Sequence, residues 1–249
     1  MVGRIILSRT LKAIPREWRK RLGVYLGVCD LRWSMEQLKR FGFSPIDVLD
    51  VGAFQGDWAR TCFSVWPHAR ITCVEPQDSQ HQNLTNLASQ TKNIEYIQVL
   101  LGRTDKASVT FCETGSGSSV LLENQETAKT HPMKTIDTLI KSGEIAPPHF
   151  LKLDVQGYEI EVLEGWTKGF EQCEVIQCEI SLLPLIPKAP LMHEVIAYLY
   201  NRGFMMFDIT ELIRSPSDAA VWQIDALFCR KDSPLRDNRV WRPPSTPKS

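Results

Sequence analysis

At 249 residues, 43% hydrophobic and 23% charged, the chain can bury the core of one large α/β domain but is short for two. Lys plus Arg and Asp plus Glu balance at 29 each, so no global field favours nucleic acid, and no nucleic-acid partner is expected. The seven cysteines are scattered without a CxxC, which excludes zinc-ribbon and thioredoxin readings and fits a reducing cytoplasm.

The first 45 residues read as a helical lead-in. Leu7, Leu11, Ile14 and Trp18 recur at helical spacing, and Pro15 is placed to start a second helix. Seven of the first 21 residues are Lys or Arg, against the single acid Glu17. Residues 4–21 therefore read as a solvated helix face or as a surface for an anionic membrane or a protein partner. The apolar run Ile5-Ile6-Leu7 is too short for a secretory signal, and no run approaches the roughly 20 residues that span a bilayer. A further helix is expected over 33–42, stopped by Gly42.

From residue 46 the pattern alternates. Strands are expected over 46–51, 71–75, 94–99, 150–154 and 175–180, with helices near 57–66, 78–90, 158–166 and 191–202. Such alternation predicts a Rossmann-like, doubly wound parallel sheet. Lys152 interrupts an otherwise apolar strand pattern. Residues 204–209 and 221–229 are two more strand candidates with only loop chemistry between them, so they predict an antiparallel pair at the sheet edge and a sheet of seven strands. The domain is expected over 46–230. The Pro-rich residues 231–249 are expected to be a disordered tail.

Four acids mark the carboxyl edge of that sheet. Asp50 ends the first strand and leads into a turn bracketed by Gly52 and Gly56. Glu75 ends the second strand, 23 residues after Gly52, and Pro76 follows at once. In a βαβ unit this spacing forms a nucleotide pocket, with the second acid placed to accept hydrogen bonds from a ribose diol. The turn is not GxGxxG, because Phe54 stands where close approach of a pyrophosphate needs glycine. A ligand without phosphates, such as S-adenosylmethionine, fits better. Asp154 ends the fourth strand on the same edge, with Gly157 and Glu159 after it, and Glu179 ends the fifth. Glu159 reads equally as compensation of a helix dipole. The loop Gly115 to Ser119 falls where an active-site lid would lie.

These segments resemble the FkbM-type S-adenosylmethionine-dependent methyltransferases. The resemblance rests on Asp50-Val51-Gly52-Ala53 with Gly56, Glu75-Pro76, the loop 115–119, Thr135-Ile136-Asp137-Thr138-Leu139, and Leu151 to Gly165. It continues through Glu179-Ile180-Ser181 and Gln223 to Phe228, in family order over roughly residues 45–230. Two positions depart: the family usually has Asn where Phe54 stands and often Glu where Gln156 stands. The resemblance implies a seven-stranded methyltransferase fold and O-methylation of a hydroxyl on a sugar, glycan or secondary metabolite, with S-adenosylhomocysteine as product. It also implies that Asp50, Gly52 and Gly56 line the methionine end of the cofactor, with Ala53 and Phe54 in the same loop. Glu75, followed by Pro76, would hold the ribose, and Leu101-Gly102 would border the adenine.

The expected chemistry is in-line methyl transfer, with Asp154 as first choice of base and Glu179 as second. No metal site is assigned from the sequence, although a divalent ion held by such acids could lower the hydroxyl pKa. The acceptor is expected to be set by loops around 103–135 and 181–190. Two rival readings are a nucleotide- or NAD-linked enzyme on a related fold and a non-catalytic docking module of a biosynthetic complex.

Overall fold

The computed structural model describes residues 29–237. The basic lead-in over 4–21 and residues 238–249 of the expected tail lie outside the described residues. The first described helix, α1 (Leu31–Arg40), starts because Asp30 caps it: its carboxylate accepts the Trp33 N–H at 2.8 Å.

Seven strands build the main sheet. In chain order they are β1 (Asp47–Val51), β2 (Arg70–Val74), β3 (Ile94–Ile97), β7 (Phe150–Leu153), β8 (Val175–Ser181), β9 (Phe204–Arg214) and β10 (Val221–Arg230). Their spatial order is β3-β2-β1-β7-β8-β10-β9. All pairs up to β8 are parallel, while β10 runs antiparallel to both β8 and β9. The fold is thus the expected Rossmann-like sheet with an antiparallel pair at its edge. The last strand inserts inside its partner, so β9 is the edge strand and β10 is buried.

Helices α2 (Asp57–Val65), α3 (His81–Gln90), α4 (Ile136–Ser142), α5 (Glu159–Glu164) and α6 (Met192–Asn201) complete the frame. Strand residues alternate between two cores. Leu49, Val51, Leu151, Leu153 and Ile176 pack on one face with Trp166 and Phe204. Val48, Phe150 and Val175 pack on the other with Trp58, Trp66, Met35 and Leu38.

Two regions differ from the sequence reading. Residues 103–135 are not a set of loops: β5 (Lys106–Cys112) and β6 (Ala128–Lys134) pair antiparallel, and β6 also pairs with the short β4 (Leu100–Leu101). This segment is mostly exposed and alternates only weakly, and it forms a small three-stranded sheet that a search for buried parallel strands passes over. Residues 231–237, assigned by composition to the tail, hold a 3-10 turn at Pro234–Arg236 whose Leu235 is buried in the α2-side core.

Candidate active site

The carboxyl ends of β1, β2 and β7 meet the small sheet around a cleft. Its floor is Val51, Gly52, Phe54, Glu75, Pro76 and Asp154. Val99, Leu100 and Leu101 form one side. Phe111, Ser116, Ser118 and Val120 of the inserted segment form the roof.

Glu75 is the best-defined polar group in this cleft. It is 3% exposed, and its two oxygens accept the Phe54 N–H at 2.9 Å and the Gln77 N–H at 3.1 Å. Burial raises its pKa, and the two backbone donors oppose that shift. Each carboxylate oxygen keeps a further lone pair for a ligand hydroxyl.

Four backbone donors of the β1–α2 loop are spent inside the protein. Gly52 and Ala53 both donate to Val74 O, Phe54 donates to Glu75, and Gly56 donates to Ala53 O. The first residue of α2 is Asp57, an acid where a phosphate would sit. The Phe54 side chain and the Asp57 carboxylate therefore stand where a pyrophosphate would approach this turn.

Gly52 explains the tight geometry. Its φ is +75°, and a Cβ there would stand 1.8 Å from the Asp154 carbonyl oxygen. Only a residue without a side chain lets the β1 and β7 loops touch. Phe54 has φ +46°, a left-handed conformation that Asn adopts more readily than Phe. Its backbone nonetheless makes the bond to Glu75.

A second cleft of about 690 Å3 adjoins the first and shares Gly52, Phe54 and Asp154 with it. Ala53, Asp57, Trp58, Lys152, Glu211 and Asp225 also line it. Asp154, with 37% of its side chain exposed, is the acid present in both clefts.

Beneath this floor runs a polar row on the α2 side of the sheet. Asp50, Lys152 and Gln177 are direct lateral neighbours on β1, β7 and β8. Lys152 Nζ lies 3.2 Å from Asp50, 3.4 Å from Asp154 and 2.7 Å from the Gly52 carbonyl oxygen, to which it donates. Burial alone would lower the Lys152 pKa, but Asp50 and Asp154 outweigh it and hold the ammonium charged. Gln177 accepts from Trp58 Nε1 at 2.8 Å and donates to Thr210 Oγ1 at 3.2 Å.

Three of the expected cofactor residues are placed elsewhere. Asp50 is fully buried and lines neither cleft; it is the counter-ion of Lys152. Gly56 packs against Leu84 and Leu87 of α3, and Gly102 against Met133 and Gly165. Both are packing glycines rather than cleft walls. Gly52, Phe54, Glu75, Pro76, Leu101 and Asp154 do line the first cleft, and Ala53 lines the second.

Glu179 lines neither cleft and is 9% exposed. Burial, then Asp154, Glu159 and Asp225, push its pKa up to about 10. That shift favours its protonated form. Glu159 caps its own turn, accepting from the Val155 and Gly157 N–H groups, and burial raises its pKa to about 7. Asp225 was given no role by the sequence reading. It faces Glu179 across the β8–β10 ladder, and burial followed by Asp154 and Glu211 raises its pKa to about 7.

The Gly115 to Ser119 loop forms a fixed wall. Ser118 Oγ bonds Gly115 O at 2.7 Å, and Ser119 Oγ donates to Gln156 O at 2.9 Å. A second tie joins the inserted sheet to the β2 end, where Lys129 Nζ lies 3.1 Å from Asp78 and 2.8 Å from Glu113. Asp78, Glu113 and His131 bring ligand atoms within 4.8 Å of one another, the only such group among the described residues. The Lys129 ammonium bridges both acids and offsets one of their two charges, so the cluster reads as a latch. No described helix is long and apolar enough to cross a membrane.

The chain is 28% identical over 209 residues to the hexuronic acid methyltransferase AglP of Haloferax volcanii, covering 79% of this chain and 82% of that protein. Among solved structures, a precorrin-6y C5,15-methyltransferase from Geobacter metallireducens aligns with TM-score 0.46 and 9% identity, over 80% of this chain and 86% of its own. Aeropyrum pernix fibrillarin in complex with S-adenosyl-L-methionine aligns with TM-score 0.42 and 14% identity, over 78% and 74%. The model of the methyltransferase FkbM domain matches residues 50–206, from the acid that ends β1 into the start of β9. The chain belongs to the FkbM-domain methyltransferase family.

Proposed function

We propose that the chain is an S-adenosylmethionine-dependent O-methyltransferase acting on a hydroxyl of a sugar, a glycan or a secondary metabolite. The observation that carries this reading is Glu75, buried at the tip of β2 and oriented by two backbone N–H groups, beside a loop that presents Phe54 and Asp57 where a pyrophosphate would approach. That combination suits a ribose whose adenosine carries no pyrophosphate, and it disfavours a dinucleotide. The apolar walls Val99, Leu101 and Phe111 suit an adenine ring. The likeness to AglP supports a sugar acceptor.

When bound, S-adenosylmethionine supplies a methyl group on a sulfonium, already a good leaving group. The residues of this chain have two tasks. Glu75 holds the ribose, and Gly52 lets the adjoining loops close on the ligand. Asp154, at the junction of the two clefts, takes the proton of the acceptor hydroxyl as the C–O bond forms. Asp154 is preferred to Glu179 because Glu179 is off both clefts and its burial among other acids favours the protonated form.

Calorimetric titration with S-adenosylhomocysteine and with NADH tests the cofactor. Binding of the first and not the second is expected, and the reverse would return the NAD-linked reading. Transfer of labelled methyl to sugar, glycan and metabolite extracts tests the reaction. Asp154→Asn should remove transfer while keeping S-adenosylhomocysteine affinity. Near wild-type transfer by that variant would remove Asp154 from the mechanism.

A further inference from the structure

Gln156 follows the candidate base by two residues and has a backbone φ of +52°, a left-handed conformation in a residue with a side chain. Its carbonyl is held by Ser119 of the roof. Its amide nitrogen donates to Asp154 Oδ1 at 3.1 Å and to Glu179 Oε2 at 2.7 Å. One –NH2 group thus spans two carboxyl groups, with Asp225 in register with Glu179 on the next strand. Acids gathered in this way repel one another unless something positive, or a donor, stands between them. Oxygen-rich sites of this kind take divalent cations. Here the position between the acids is filled by the two N–H hydrogens of an amide, which a cation would face with its own charge.

We propose that Gln156 is a positioning residue that takes the place of a cation, its amide bridging Asp154 and Glu179 so that Asp154 is oriented with no metal ion between them. The inference rests on the proposed function only for the role of Asp154. The bridge itself is independent of which acceptor is methylated. Replacing the amide by a carboxylate removes both donors and adds a third acid, which should turn the same place into a divalent-cation site.

The test uses Mn2+ alone, followed by the paramagnetic resonance of the free ion, on the full chain. Wild type should take up no more Mn2+ than Asp154→Asn does, which subtracts ions bound elsewhere. Gln156→Glu should bind an additional ion, lost again when Glu179→Gln is added. Uptake by wild type that Asp154→Asn abolishes would overturn the proposal, as would Gln156→Glu gaining no ion.

Gln156→Met keeps the length without donors and covers the case in which Gln156→Glu does not fold. Without the amide donor the Glu179 carboxyl holds its proton more tightly, so the melting deficit of this variant should be small near neutral pH and larger above about pH 10, where the wild-type carboxyl ionises. A deficit equal at both pH values would show a packing role only and overturn the proposal. None of these measurements uses S-adenosylmethionine, so failure of the cofactor reading, seen in calorimetry, is distinguishable from failure here.

Discussion

The two halves of the candidate site are built differently. On the β1–β2 side, the ligand-facing acid is oriented by backbone N–H groups from its own loop and the neighbouring one, and the loop is shaped by a glycine. On the β7–β8–β10 side, acids, a lysine and an amide hold one another through side chains on neighbouring strands of the sheet. Backbone-built geometry changes little with pH, because N–H groups do not titrate in the physiological range. The side-chain cluster stores charge, so its geometry depends on protonation. The first half suits a constant cofactor, and the second suits proton removal.

The largest expected effect breaks the contact between the halves. Gly52→Ala places a Cβ into the Asp154 backbone at a left-handed φ, and should cost more than about 4 kcal/mol or prevent folding. Chemical denaturation measures it. Gly115→Ala, also left-handed but with nothing within 4 Å, serves as the control and should cost about 1 kcal/mol. Equal losses would mean that backbone strain, and not the close approach, governs Gly52.

Next is Lys152→Met, which leaves Asp50 buried without its counter-ion and should cost about 3–5 kcal/mol. Adding Asp50→Leu should recover most of it. If the double variant is no better than the single, Lys152 acts chiefly through the Gly52 carbonyl. Glu75→Ala should lower S-adenosylhomocysteine affinity about a hundredfold by removing ligand contacts to a charged acceptor, with a smaller effect on melting. Retained affinity would place the ribose elsewhere.

The smallest effect sharpens the contrast in pH dependence. Glu159, Glu179 and Asp225 all have raised folded-state pKa values, to about 7, about 10 and about 7. A carboxyl raised in this way stabilises the fold while protonated. The contribution is complete below the unfolded pKa and is lost as pH rises through the folded pKa. The melting temperature should therefore fall from about pH 5 to about pH 9, and Glu179→Gln should flatten the upper part of that fall. A profile unchanged in Glu179→Gln would mean that this carboxyl does not titrate with the fold.

Several features were legible in the chain because they are local. Apolar runs ending in Asp50, Glu75, Asp154 and Glu179 placed four strand ends and, with them, the ligand edge of the sheet. The role of Phe54 was legible in part: its side chain signalled a loop ill-suited to pyrophosphate, while the fact that its N–H is committed to Glu75 was not. The pair of strands over 204–214 and 221–230 was visible from the loop between them. The inserted β5–β6 pair was missed because its residues alternate weakly and are mostly exposed.

By itself, then, the sequence determined the order and type of the main elements and the family, since strand ends, turns and periodicity are written in consecutive residues. The tertiary structure decided what each acid does. Asp50 and Lys152 are 102 residues apart in number yet direct neighbours in register, and Asp225 meets Glu179 only because β10 inserts beside β8. A carboxylate's role follows from its burial and from the charges facing it, and those are set by strand register and insertion order, which no local pattern encodes.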